Sequence, residues 1–320
     1  MDVNKQVKKL QAKKQPVQKS KEWYLLRNTC ITASEAASCL ALSEENCKIY
    51  LEEYPNVKIK FNEMKTKSPF DTLESYIINK CDSYFEIGKG FQSNKYTEWG
   101  NKYEEIAVIL YTKEKSKNVY EFGFLQHSRL KWLGASPDGI TGDGIMLEIK
   151  CPFSRKLYDY PPIYYWVQCQ IQMEVCNLNK CDFLECNISE ITFDEFLNVE
   201  TKYFGIIIKK DEKYIYPPKE CNTIQEYINW SLNFTDCEKS YFKVNQYQII
   251  EIHRKKEWFN LIKPKLKKVH SKLLTFFNNK QEFLDYKESC EKINNQKYLD
   301  KITNTQCLID EVSSFEMVID

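Results

Sequence analysis

The segment from Gly134 to Pro152 constrains the fold of this chain more than any other. It reads Gly-Ala-Ser-Pro-Asp-Gly139, then Ile-Thr-Gly-Asp-Gly144, then Ile-Met-Leu-Glu-Ile-Lys-Cys-Pro152. Asp143-Gly144 between two apolar runs is a hairpin-turn signal. Side chains alternate along a strand beginning at Ile145. Ile145, Leu147, Ile149 and Cys151 are therefore expected in the core, and Met146, Glu148 and Lys150 on the other face. Asp138 is expected to end the preceding strand, where the hairpin brings it beside Glu148. Two carboxylates that close repel each other unless a cation lies between them. Hard oxygen ligands favour Mg²⁺, which keeps much of its water and takes a phosphate oxygen from a substrate. Lys150 can then orient a water or offset charge on a phosphorane-like transition state. The bare pattern Asp…Glu-x-Lys is common by chance and equally fits a surface ion pair on an ordinary hairpin, so the flanking residues decide.

Those flanks, Ser136-Pro137-Asp138-Gly139 and Leu147-Glu-Ile-Lys-Cys-Pro152, resemble the lambda-exonuclease and YqaJ-like viral recombinase nucleases of the PD-(D/E)xK superfamily. Three further segments occur in that family's order. Trp23-x3-Arg27 leads into Ile31-Thr-Ala-Ser34, Trp99-Gly-Asn-Lys-Tyr-Glu104 opens a helix, and Tyr165-x2-Gln168-x-Gln170-x2-Met173 follows the catalytic strand. The resemblance covers about 21–176. It implies an α/β fold with a restriction-endonuclease-like core, a central mixed β-sheet flanked by helices. It also implies a metal-dependent nuclease, a 5′-3′ exonuclease on double-stranded DNA ends in viral recombination, replication or repair. Asp138 and Glu148 would be metal ligands with the backbone carbonyl of Ile149, and Mg²⁺ the metal, with Mn²⁺ substituting. Lys150 would be the catalytic lysine and Glu104 the helix glutamate reaching the metal site. Gln168 would support the site from the following helix. Gln170 lies roughly 200° away around that helix, so both cannot point inward. Arg27 and Ser34 would hold a terminal 5′-phosphate, and Ser136 could donate to the scissile or terminal phosphate. A guanidinium binds phosphate bidentately, and a helix start offers free N–H groups to an anion. The family also suggests a ring-shaped homo-oligomer and a single-strand annealing protein as partner.

The rest of the chain reads as one domain with additions. Residues 1–20 are lysine-rich and read as a basic disordered arm, either a solubilising tail or a segment for DNA contact or nuclear address. The nuclease domain spans 21–278, with insertions at about 43–95 and 187–244, the first mostly helical. A C-terminal tail, 279–320, is partly helical. Thr32 and Ser34 look like caps for a helix near 34–41. Periodicity predicts helices over 98–112, 161–176 and 256–278, with Pro264 in the first turn of the last or kinking it. Strands are expected at 181–188, 203–216 and 246–252. Between Arg254 and Lys272 lie eight cationic residues and one acid, Glu257. There Lys263, Lys267 and Lys268 are placed to face DNA phosphates.

Composition excludes several classes. The formal net charge is +1, so nucleic-acid contact must come from local patches. No apolar run approaches the roughly 20 residues of a membrane span. Thirteen cysteines, with no CxxC pair, no partnering His and a polar N-terminus, point to buried free thiols in a reducing, intracellular setting, host cytoplasm or nucleus if viral. There is no Walker-type glycine loop, HExxH or GxSxG. The competing readings are a structure-specific endonuclease of the same superfamily and a non-catalytic DNA-binding recombination factor.

Overall fold

The computed structural model describes residues 2–17, 20–40, 43–59, 72–87 and 93–296. Helix α1 (Val3–Gln11) leads to α2 (Lys21–Thr29), a short strand β1 (Ile31–Thr32), a 3-10 turn at Ala33–Glu35 and helix α3 (Ala36–Cys39). Helices α4 (Glu44–Glu53) and α5 (Leu73–Tyr84) precede the long α6 (Lys95–Lys115). Strands β2 (Val119–Tyr120), β3 (Leu125–Gln126), β4 (Leu133–Ala135), β5 (Gly139–Thr141) and β6 (Ile145–Lys150) then run into α7 (Ile163–Cys176). The second half holds β7 (Lys180–Ile191), α8 (Phe193–Leu197), β8 (Phe204–Lys210), β9 (Lys213–Ile215), α9 (Ile224–Ser231), β10 (Glu238–His253) and α10 (Lys256–Asn278). A further helix covers 280–296.

A seven-stranded sheet runs in the order β2-β5-β6-β7-β10-β8-β9, beside a small sheet ordered β1-β4-β3. The larger sheet is mixed. β5 and β6 are an antiparallel hairpin, whereas β6 and β7 are parallel. A parallel pair needs a crossover, and α7 supplies it. The crossover covers one face of β6 and α6 covers the other. Leu147, Ile149 and Cys151 pack in a cluster with Tyr103, Ile106 and Leu110 of α6. Met146 packs in a second cluster with Trp166, Val167 and Ile171 of α7. The expected alternation along β6 is present, but the face bearing Glu148 is not a solvent face: Glu148 is fully buried. The α/β expectation of a mixed sheet between helices holds.

Other boundaries moved for physical reasons. Asp138 does not end a strand; it lies between β4 and β5, one residue before Gly139. The 187–244 region, expected as an insertion, supplies β8, β9 and half of β10, all bonded into the central sheet. β10 is 16 residues long and pairs along β7 from Tyr241↔Ile191 to His253↔Lys180. The strand expected at 246–252 lies within it, and the mixed polar sequence before those residues conceals the rest. Pro264 sits inside α10 beyond its first turn. Twelve free cysteines are described and none pairs, all buried but Cys237, which is half-buried. Among the described residues no helix is long and apolar enough to cross a membrane.

The N-terminal arm is the clearest correction, because its first part is an ordered helix. Lys5, Lys8 and Lys9 of α1 are exposed, while Gln6, Val7 and Leu10 are buried. Asp2 caps the helix through the Asn4 N–H at 3.1 Å. Gln6 Nε2 donates to the Cys176 carbonyl at 2.6 Å, tying α1 to the end of α7. Val3 lies over the hairpin turn, where a Cβ on Gly144 would come within 2.1 Å of it, and Gly144 has a φ of +77°. Glycine is therefore required there twice, by conformation and by close approach. Leu10→Ala should destabilise the protein by about 2–5 kcal/mol, as for a buried leucine. A chemical-denaturation midpoint unchanged by the substitution would return the segment to the status of a free arm.

Candidate active site

Glu148 sits in the middle of β6 with both oxygens engaged. Gln168 Nε2 donates to Oε1 at 2.7 Å and Gln172 Nε2 donates to Oε2 at 2.7 Å. Lys150 Nζ also donates to Oε1. The two glutamines are one helical turn apart on α7, so one face of the crossover helix delivers both. Gln168 was expected here; Gln172 was not, although its i+4 spacing from Gln168 was the available signal. Gln170 points elsewhere, as its angular offset requires. Its Nε2 donates to the His253 carbonyl at 2.8 Å and its Oε1 accepts the Lys255 N–H at 2.7 Å. It therefore joins α7 to the β10–α10 junction.

Asp138 enters from the loop before β5. Its Oδ2 accepts the Ile149 N–H at 2.6 Å. A strand residue's N–H and carbonyl leave by the same edge, so the Ile149 carbonyl also points to the Asp138 side. Burial, then the Glu148 and Glu104 carboxylates, push the Asp138 pKa well above its usual range. Burial alone would depress the Lys150 ammonium, but Glu148, Tyr165 and Asp138 outweigh it and hold its pKa above the usual lysine value. The Lys150 Nζ also lies 4.9 Å from the Tyr165 ring centroid. Carboxylates thus outnumber the ammonium that offsets them. Glu104, on α6, lines an open cleft of ≈ 870 Å³ together with Ile149, Lys150 and Arg155.

Glu185 is a further buried carboxylate that the sequence did not single out. It stands opposite Lys150 in the β6–β7 register and is fully buried. Arg155 Nη2 donates to it at 2.6 Å and the Tyr158 N–H at 3.0 Å. These bonds fold the 153–158 segment over the open end of β6.

A second group of expected residues gathers around the 3-10 turn. Arg27 lies 4.4 Å above the Trp23 ring. Ser34 is in the turn itself, with its hydroxyl 3.2 Å from that of Thr32, the residue that caps it. β1 and β4 are parallel with Thr32 beside Gly134. Two residues further on, Ser34 and Ser136 therefore leave the same end of the small sheet, and Asp138 follows Ser136. The Ser136 hydroxyl is buried with no hydrogen-bond partner among the described residues. Below them lies an ion pair that sequence reading missed. Lys80 Nζ donates to Glu35 Oε2 at 2.8 Å and to the Arg27 carbonyl at 2.6 Å. It links α5 to the end of α2 and to the 3-10 turn. The lysines of α10 lie apart from the cleft. Lys267 and Lys268 are exposed, and Lys263 is half-buried rather than fully outward.

Residues 22–179 match the family described as the YqaJ-like viral recombinase domain. An uncharacterized protein, R354, of Acanthamoeba polyphaga mimivirus is 31% identical over 262 aligned residues, covering 67% of this chain and 42% of that protein. The chain thus spans less than half the length of this relative. Among solved structures, an alkaline exonuclease from Laribacter hongkongensis is 18% identical with a TM-score of 0.47, covering 86% of this chain and all of that one. A phage-related exonuclease from Haemophilus somnus is 14% identical with a TM-score of 0.43, covering 82% of this chain and 96% of its own.

The Lys80–Glu35 pair makes a pH-dependent prediction. Burial works to raise the Glu35 pKa, but Lys80 and Arg27 outweigh it and hold the value low. Such a group stabilises the fold above its unfolded pKa, and the contribution is lost as pH falls through the folded one. Lys80→Met leaves the largely buried Glu35 carboxylate without its ammonium, a change that costs up to roughly 3–5 kcal/mol. The variant should melt lower than wild type at neutral pH, with the deficit shrinking as pH falls below about 4. A deficit that stays constant on acidification would show that Lys80 acts through packing alone.

Proposed function

We propose that this chain, which carries a YqaJ-like viral recombinase domain over residues 22–179, is a metal-dependent nuclease that hydrolyses phosphodiester bonds at double-stranded DNA ends. The observation that carries the proposal is Glu148. It is a fully buried carboxylate held by Lys150, Gln168 and Gln172, with Asp138 near enough for the two charges to oppose each other and Lys150 lining an open cleft.

Among the described residues no three His, Cys, Asp or Glu side chains form a ready-made metal cage. The donor chemistry nevertheless fits Mg²⁺, which binds through one or two carboxylates and keeps water and substrate phosphate as its other ligands. Burial first, and then the Glu148 and Glu104 carboxylates, raise the Asp138 pKa, and a cation held there would offset that carboxylate repulsion. Asp138, Glu148 and the Ile149 carbonyl would hold it, and Mn²⁺ would substitute. When bound, the cation polarises the phosphate and makes water a stronger nucleophile.

The chain's own residues do the rest. Gln168 and Gln172 fix the Glu148 rotamer. Lys150 stands ready to offset negative charge on the phosphorus centre as water attacks and the P–O bond breaks. Glu104 lines the same cleft as Lys150. Arg27, Ser34 and the unpartnered Ser136 hydroxyl support recognition of a terminal 5′-phosphate, which would give 5′-3′ polarity. The exposed Lys267 and Lys268, with Lys263 beside them, would add phosphate contacts along the duplex.

An end-labelled linear duplex, with and without a 5′-phosphate, tests the reading beside a closed circular DNA. The linear duplex should be degraded only with Mg²⁺ or Mn²⁺, faster from phosphorylated ends, and the circle left intact. Asp138→Ala, Glu148→Ala and Lys150→Ala should each lower turnover on the order of 100-fold or more while duplex binding survives. Arg27→Ala should reduce the preference for the 5′-phosphate. Wild-type digestion by Glu148→Ala, or full activity in excess chelator, would end the proposal; cutting of the circle would make the protein an endonuclease.

A further inference from the structure

Aromatic rings line the cleft beside Lys150, and the hydrolytic reading leaves most of them unused. They are Tyr96, Phe153, Tyr158, Tyr164 and Tyr165, the last already beside the Lys150 ammonium. Two of these rings stand in water: Tyr96 is 57% exposed and Phe153 42%. Apolar rings on a soluble surface are unremarkable singly, but these are built into a rigid arrangement. Phe153 lies edge-to-face with Tyr96, centroids 5.7 Å apart, and with Trp99 at 5.1 Å, each at 88°. Trp99 is in turn packed on Tyr103 of the buried cluster at 4.5 Å. The exposed rings are therefore packed, through Trp99, against the buried cluster of α6.

A cation accompanies these rings. Lys95 Nζ lies 5.1 Å from the Tyr96 ring centroid and 5.3 Å from that of Phe153. Lys95 is the first residue of α6, where a positive charge opposes the helix dipole. Its position does not serve the helix and suits an anion arriving from outside. Flat rings with a cation alongside, in a cleft that Glu104, Ile149 and Lys150 also line, match a single nucleic-acid strand: base on ring, phosphate on ammonium.

We propose that Tyr96 and Phe153 are a nucleobase shelf. An unpaired base next to the scissile phosphate stacks on Phe153, Tyr96 closes its edge, and Lys95 takes the adjoining phosphate. Every base has a π-face, so the shelf grips the strand without reading its sequence. The inference rests on the nuclease reading of Glu148 and its neighbours, and it adds a positioning site that touches the base rather than the reacting atoms.

The test needs no hydrolysis. A short single strand carrying 2-aminopurine at successive positions is titrated with full-length protein in chelator, and fluorescence quenching reports stacking. Wild type should quench at one or two adjacent positions. Phe153→Ala should abolish that quenching and weaken binding roughly five- to hundredfold, while Phe153→Trp restores both. An abasic nucleotide at the quenched position should cost wild type as much, and should cost Phe153→Ala nothing further. Equal quenching by wild type and Phe153→Ala, or losses from variant and abasic site that multiply, would overturn the shelf. The two readings fail separately: quenching without any metal-dependent hydrolysis supports the shelf against the nuclease reading, and hydrolysis without quenching sinks the shelf alone. Equal melting temperatures for Phe153→Ala and wild type exclude misfolding as the cause.

Discussion

The fold is arranged around one buried carboxylate. Glu148 has no exposure, and an ionised group in that position is tolerable only with hydrogen-bond donors on both oxygens. Lys150 comes from its own strand, but Gln168 and Gln172 must come from the facing helix. That demand fixes the rotation of α7 over the sheet. With Gln168 and Gln172 turned toward β6, Gln170 is turned toward the start of α10 and bonds there. A single helix phase thus places the site and locks the C-terminal layer.

The same sheet carries charge at the adjoining register. Glu185 on β7 stands beside Lys150 and is satisfied from Arg155, the Tyr158 N–H and Gln248. The loop leaving β6 is thereby folded back across the strand ends, which gives the cleft part of its lining and carries Phe153 to its rim. Crossover, cleft and rim are consequences of paired carboxylates on parallel neighbours. The Lys80–Glu35 pair does comparable work for the turn bearing Ser34. It ties three segments distant in sequence, α2, α5 and the 3-10 turn, through one ammonium.

Much of this was legible because local rules and chemistry agreed. Asp143-Gly144 fixed the hairpin, strand alternation put Glu148 and Lys150 on one face, and the angular offset separated Gln168 from Gln170. The less legible parts share a cause: partners remote in sequence. Alternation does not say whether a second face is covered, so the burial of Glu148 under α7 was invisible until the crossover was seen. The lysines of α1 masked Val7 and Leu10, whose i, i+3 spacing is short. Gln172 lacked only the knowledge that two donors were needed. Polar residues in the first half of β10 obscured the extension of the expected 246–252 strand, a part held by pairing with β8 and β7 rather than by a hydrophobic stripe.

The proposed metal site holds carboxylates whose mutual repulsion a cation would relieve. Asp138 is its probe, since burial, Glu148 and Glu104 all raise its pKa. A group raised in the folded state binds a proton on folding, so stability falls as pH rises above the unfolded pKa, by about 1.4 kcal/mol per unit until the folded pKa is reached. Asp138→Asn removes this penalty and keeps an oxygen for the Ile149 N–H. The direct measurement is thermal unfolding of wild type and Asp138→Asn from acid to neutral pH, first in chelator and then in Mg²⁺. In chelator the variant should be the more stable, with a lead that widens as pH rises. Mg²⁺ should stabilise wild type alone and close the gap. Identical curves in chelator, with neither protein responding to Mg²⁺, would contradict the account.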